Sequence, residues 1–350
     1  MDVVTVSGSI SPDEIGIAAP HEHIYIDIEK AWLLKSADPY KRTFIDKPVT
    51  IDILGMLHRN PLICRDNLRY DDDTLALAEV TDFKSLGGKT IVDATNKYMG
   101  RKPQGLRKIA KNTGLNIVAS TGFYLEPAHP PYIATSSVDK IAEEMIGEIT
   151  HGMDGTDIKA GIIGEVGTSL RITPNEKKVL EASARAHLET KVPVWIHTER
   201  PGREGMKVLD ILQKNDVDLT KVVIGHCSDG LATPKGMGIG YQEALVDRGA
   251  YVAYDTFGHE EYTDEGWGTE PVVMARDSDL VNAIVQLVKD GYLSKILLST
   301  DVCFKIHLKS YGGWGIGHIL RNVVPMLKRS GLDQKQVEAL LADNPRKLFS

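Results

Sequence analysis

VPVWIHTE (192–199), REGMKVLDILQKN (203–215) and VVIGHCSD (222–229) follow one another in the chain, and together they read as a single structural unit. The outer pieces are short, apolar and β-branched, and each runs into polar residues at its end. The middle piece carries apolar residues at helical spacing and is long enough to return the chain across a sheet face. The second strand then lies parallel to the first. The same unit recurs outward in both directions. PHEHIYID (20–27), GKTIVDAT (88–95), NIVASTGFY (116–124) and AGIIGEVG (160–167) precede it, and YVAYDTF (251–257) and ILLSTDV (296–302) follow. Amphipathic stretches such as VDKIAEEMIGEI (138–149) and NEKKVLEASARAHLE (175–189) lie between. Eight strands alternating with helices predict an α/β fold of the (β/α)8 TIM-barrel type, as one domain over residues 1–350. No G-x-G-x-x-G opens a helix after a strand and there is no P-loop, which removes the main support for nucleotide folds.

Two stretches are too long for plain crossovers. Residues 28–87 read as an excursion above the barrel, with a helical segment around Ile53–Leu62, and GHEEYTDEGWGTEPVV (258–273) is irregular. Long loops in compact domains often serve as lids. The 350 residues are 42% hydrophobic and 25% charged, as in ordinary globular proteins. Lys and Arg total 41 against 48 Asp and Glu, a net charge of −7, so no basic face is expected for nucleic acid. No apolar run reaches the length of a membrane helix, so no membrane partner is expected. Cys64, Cys227 and Cys303 are widely spaced and form no disulfide framework, which predicts a reducing, cytoplasmic setting.

The chemistry lies at the strand ends. His21 and His23 are two apart on one strand, so both imidazoles can reach one ion. His197 ends VPVWIHTE, His226 ends VVIGHCS, and Asp301 follows ILLST. Singly, each has a plain alternative as a residue capping the next helix. Jointly they place five ligand-type side chains at the C-terminal ends of four strands, the face on which barrel active sites are built. Glu165 interrupts an apolar strand, where an isolated charge costs several kcal/mol unless cations or an ion pair with Arg171 or Arg200 compensates it.

HEH, GIIGEVG, IHTE, GHCSD and STD, in this order, resemble the phosphotriesterase-related family of the amidohydrolase superfamily, and SYGGWGIGHILRNVVP (310–325) extends the likeness. The resemblance implies two divalent metal ions, with His21, His23 and Asp301 around one and His197 and His226 on the other. Many members bridge the metals with a carboxylated lysine. Here the bridging position reads as Glu165, as in the glutamate branch. Lys159 has the same parity but lies toward the opposite end of the strand. Imidazole and carboxylate ligands favour zinc, with manganese, cobalt or iron able to substitute. Two such cations outweigh Glu165, Asp301 and a bridging hydroxide, leaving a positive centre for a developing oxyanion.

Asp301 is then the expected general base. Tyr124 would hydrogen-bond hydroxide or substrate, and Asp229 would relay protons or orient a ligand, or else cap a helix. Lys305, Arg276 and Tyr311 are candidates for gripping an anionic substituent, whereas Cys227 and Cys303 read as packing. Lactonase relatives carry an arginine after the strand-seven aspartate where this chain has Asp255-Thr256, which argues against a simple acyl-homoserine lactonase. The expected activity is hydrolysis of a small-molecule lactone, carboxylic ester or amide, by a chain that the family implies to be a homodimer. A phosphoester or organophosphate triester hydrolase is the alternative, and a catalytically silent ligand-binding barrel is the alternative of another class.

Overall fold

The computed structural model describes residues 2–199, 203–228, 238–265 and 272–350. Eight parallel strands form the barrel: β1 (Ala18–Glu22), β2 (Thr90–Asp93), β3 (Asn116–Thr121), β4 (Ile162–Thr168), β5 (Val194–Thr198), β6 (Val222–Ile224), β7 (Tyr251–Tyr254) and β8 (Ile296–Leu298). Each pairs with its sequence neighbours, from β1 through to β8. Helices fill the connections: α1 (Asp73–Ser85), α2 (Pro103–Thr113), α3 (Val138–Thr150), α4 (Pro174–Thr190), α5 (Gly205–Lys214), α6 (Gly240–Asp247) and α7 (Asp277–Lys289). A helical stretch over 319–329 follows β8.

Local signals start the helices where the pattern requires. The α4 helix begins at a capping box in which the Thr173 side chain accepts from the Glu176 backbone and the Glu176 carboxylate accepts from the Thr173 backbone. Ser137 caps α3 by accepting from the Lys140 N–H. The two faces of the strands then bury different layers. Ala18, Val92, Val118, Ile162, Trp195, Val223, Ala253 and Leu297 fill the barrel interior, joined from below by Val3, Ile15 and Phe349. Their neighbours Ala19, Ile91, Ile117, Ile163, Ile196, Ile224, Val252 and Leu298 pack outward under the helices.

The last seam is closed largely by side chains. The buried Glu22 carboxylate, between His21 and His23 at the end of β1, accepts from Ser299 Oγ, Thr300 Oγ1 and the backbone N–H groups of Thr300 and Val302, at 2.7–3.1 Å. Asp301 N–H donates to His21 O at 3.2 Å across the same seam.

The 28–87 excursion is present, but its helical segment is one turn, Leu54–Leu57, followed by a 3-10 turn at Pro61–Ile63. Pro61 lacks the N–H that a continuing helix needs. The 258–273 stretch holds a short antiparallel pair, Tyr262–Thr263 with Val272–Val273. Among the described residues no helix is long and apolar enough to cross a membrane.

Candidate metal centre

Strict alternation would not deliver the six expected ligands to one place. Ala18 faces inward and Ala19 outward, so a regular β1 would turn His21 toward the helices. The register shift between Ala19 and Glu22 reverses this. Likewise Ile162 faces inward, and a second shift between Ile163 and Val166 swings Glu165 into the barrel. Bulges of this kind re-aim side chains next to active sites. Parity therefore does not carry from Lys159 to Glu165; Lys159 is exposed and precedes β4. His226 and Asp301 adopt left-handed backbone, with φ of 57° and 44°, just past the ends of β6 and β8. Such conformations are costly for residues with a Cβ and concentrate at functional sites. His226 leaves the ladder for this reason, so β6 is shorter than VVIGHCSD suggests.

The result is two donor groups, His21–His23–Asp301 and Glu165–His197–His226, each with ligand atoms within 4.8 Å of one another. Hydrogen bonds behind the rings fix their tautomers. His21 Nδ1 donates to Asp255 Oδ2 at 2.8 Å, and His23 Nδ1 donates to Thr95 Oγ1 at 2.8 Å, whose own proton goes to Tyr25 O. Both imidazoles thus turn Nε2 toward carboxylates: His23 to Asp301 Oδ1 at 3.2 Å, and His21 to Glu165 Oε1 at 3.6 Å and Asp301 Oδ1 at 3.7 Å. His21 Nε2 and His197 Nε2 are buried without a hydrogen-bond partner. His226 Nε2 stands 2.8 Å from His197 Nδ1, which is 2.6 Å from Glu165 Oε1. Lone pairs converging on carboxylates at these distances need positive charge between them. The donor set fits divalent cations.

The electrostatics agree. Burial pushes the Glu165 carboxyl up, but His197 and His21 outweigh it and hold it well below the usual range. Burial likewise raises Asp301, yet His21, His23 and His226 bring it down to about 2. Burial lowers His226, but Asp255 raises it to about 10, and His21 is driven upward against burial by Asp301 and Glu165. In the metal-free chain, protons on these rings supply the charge that cations would bring.

In the sequence Asp255 stands out only as part of the departure from lactonase relatives. Its carboxylate accepts from His21 and from the backbone N–H of His226 at 2.8 and 2.9 Å, holding one ring from each donor group. The signal was available: YVAYD ends an apolar strand in a carboxylate, as ILLSTD does. Tyr124 stands at the chamber wall with its ring edge-on to His197, 4.9 Å between centroids, and its hydroxyl accepts from Trp32 Nε1 at 3.0 Å. Burial and the Glu165 charge push its phenol well above the ordinary value, so it stays protonated.

Lys305, Tyr311 and Arg276 lie elsewhere. Lys305 is paired with Asp66 at 2.5 Å and sits over the Tyr311 ring, and both line a neighbouring depression. Arg276 is exposed at the start of α7. Asp229 and Arg200 fall outside the described residues. Among the described residues, the ion pairs of Glu165 are with His21, His23, His197 and His226, and none reaches Arg171. Cys227 packs with its thiol on Ile224 O, while Cys303 lines the chamber. That chamber lies above the donors, roofed by Ile28 and Trp32 from the long excursion and by Met99 and Phe304.

The barrel, the two groups of metal-type donors at its mouth and the relatives below define the class: this is a metal-dependent hydrolase built on a TIM barrel. The chain matches the Phosphotriesterase family over residues 1–349 and belongs to it. It is 35% identical over 345 residues to N-acetyltaurine hydrolase from Tetraodon nigroviridis, covering 98% of this chain and 96% of the relative. Among solved structures, a resiniferatoxin-binding protein from Rhodobacter sphaeroides superposes with a TM-score of 0.93 at 36% identity, covering 100% of this chain and 95% of that one. The lactonase Lmo2620 from Listeria monocytogenes gives a TM-score of 0.76 at 28% identity, covering 100% and 99%.

Proposed function

We propose that the whole chain, residues 1–350, is one hydrolase domain. It would cleave a lactone, carboxylic ester or amide at a binuclear centre held by His21, His23, Glu165, His197, His226 and Asp301. The observation that carries this reading is the convergence on the buried Glu165 carboxylate of His21 Nε2, which has no hydrogen-bond partner, and of His197 Nδ1 and His226 Nε2, which stand 2.8 Å apart. Two divalent ions, zinc by preference, would supply a water activated at neutral pH and would polarise the scissile oxygen. Asp301 takes the proton of the attacking water. Tyr124, its hydroxyl oxygen already accepting from Trp32, offers its own O–H to the substrate. Asp229 would serve as the outward proton relay.

The chamber wall narrows the substrate. Among its described residues are Ile28, Trp32, Met99 and Phe304, together with the carboxylates Glu199 and Glu261, and no lysine or arginine. Glu261 is held anionic: burial raises it, but His307 brings it down to about 2. A wall of this kind favours neutral acyl substrates with an apolar portion over phosphoesters. Among the described residues it also offers no lysine or arginine for the sulfonate of an N-acetyltaurine.

A screen of zinc-loaded enzyme against neutral N-acyl amides, esters and lactones, beside N-acetyltaurine and phosphoesters, tests the assignment. Turnover is expected in the neutral acyl set. Robust phosphoester turnover with none on acyl substrates would replace it, and binding without turnover in any class would favour a silent barrel. Because Glu165 carries its carboxylate permanently, reconstitution of the metal-free chain should be indifferent to bicarbonate, which a carboxylated lysine requires. Bicarbonate dependence would move the bridge off Glu165.

A further inference from the structure

A second cluster of metal-type donors sits beside the centre and has no part in the reaction described above. We propose that His259, Cys303 and His307 form a third metal site, for a borderline-soft divalent cation of the zinc type, joining the loop after β7 to the loop after β8. Their ligand atoms lie within 4.8 Å of one another, and the two imidazoles approach to 3.9 Å between centroids.

Each ring is oriented from behind. His307 Nε2 faces the Glu261 carboxylate at 2.7 Å, so it carries the proton and leaves the lone pair on Nδ1. That Nδ1 is buried without a hydrogen-bond partner, on a side chain 6% exposed. His259 Nε2 faces the Asp301 carbonyl oxygen at 2.9 Å, which assigns its proton in the same way and makes Nδ1 its acceptor nitrogen. A carboxylate behind one imidazole and a backbone carbonyl behind the other are the usual outer supports of ligating histidines. Zinc bonds of ~2.0–2.3 Å place donors roughly 3.3–3.8 Å apart, inside the 4.8 Å within which these three lie.

Two imidazoles and a thiolate select zinc over magnesium or calcium. Binding replaces the Cys303 thiol proton, which leaves to solvent. Three protein ligands leave one coordination position, and His259 and Cys303 both line the chamber, so that position opens toward the substrate space. The site would thus tie the loop after β7 to the loop after β8 at the barrel mouth.

The test is metal stoichiometry and the cobalt spectrum of the full chain, stripped and reloaded. Wild type should bind three zinc ions, and Cys303→Ser and His307→Gln should each bind two. Cobalt-loaded wild type should show a thiolate-to-cobalt charge-transfer band that Cys303→Ser abolishes. His21→Ala, which disables the binuclear centre, should keep that band, so failure of this site and failure of the binuclear reading give different spectra. Saturation of wild type at two ions with no thiolate band would overturn the proposal. So would a third ion or a band that survives Cys303→Ser.

Discussion

The two ends of the barrel interior use the same strands for opposite purposes. At the lower end Ala18, Val92, Val118, Val223 and Leu297 form a dry apolar plug, closed by Val3, Ile15 and Phe349. At the upper end the interior gathers His21, Glu165, His197, His226 and Asp301, all buried, with Asp255 beneath them. Along β8 and the loop that continues it the contrast spans four residues, from Leu297 in the plug to Asp301 in the donor cluster. Packing that excludes water below can hold charged groups rigid above, because the cost of burying them is offset by their mutual contacts and by cations.

The sharpest way to break the comparison is paired substitution on that strand. Asp301→Ala should lower turnover by about 10²–10⁴-fold, the range for loss of a positioned acid or base, while circular dichroism at low temperature shows the barrel still folded. A wild-type rate with every substrate that is turned over would remove Asp301 from the reaction. Leu297→Ala should do the reverse, costing about 2–5 kcal/mol of stability in denaturant titrations while metal content at low temperature is retained. Equal effects from both changes would show that plug and cluster are not separable.

Asp255 tests whether support from behind the rings matters. Asp255→Asn keeps the shape but weakens the bonds to His21 and His226, and should lower metal affinity by roughly 10–100-fold in competition with a chelator. Unchanged affinity would reduce Asp255 to a packing residue. The smallest effect concerns pH. His21 and His226 have raised pKa values, with His226 at about 10, so at neutral pH the metal-free rings hold protons that cations must displace. Metal uptake should therefore release protons, and affinity should rise with pH from the neutral range toward that value. Calorimetry in buffers of different ionisation enthalpy measures the release, and uptake without protons would contradict the electrostatic picture.

Much of this was legible beforehand. Alternating apolar runs and amphipathic segments are local patterns, and parallel neighbours with right-handed crossovers leave few ways to arrange eight of them. The polar residue ending each run marked His197, His226 and Asp301, since a ligand at a strand end needs only chain order to be recognised. Lys305, Tyr311 and Arg276 are suggested by side-chain type alone, as groups able to grip an anion. Their placement depends on partners distant in sequence, such as Asp66, which holds Lys305 away from the chamber.

The sequence by itself determined the barrel, the end at which its chemistry sits and the residue types that gather there, because periodicity and strand-end polarity are properties of adjacent residues. Only the tertiary structure decided which way those residues face. The register shifts in β1 and β4 turn His21 and Glu165 inward against simple alternation, and left-handed backbone at His226 and Asp301 aims two more. It likewise set Asp255 beneath two rings and brought His259 to Cys303 and His307. Each of these follows from strands and loops far apart in the chain packing around one axis, where a one-residue shift changes the face that every following side chain presents.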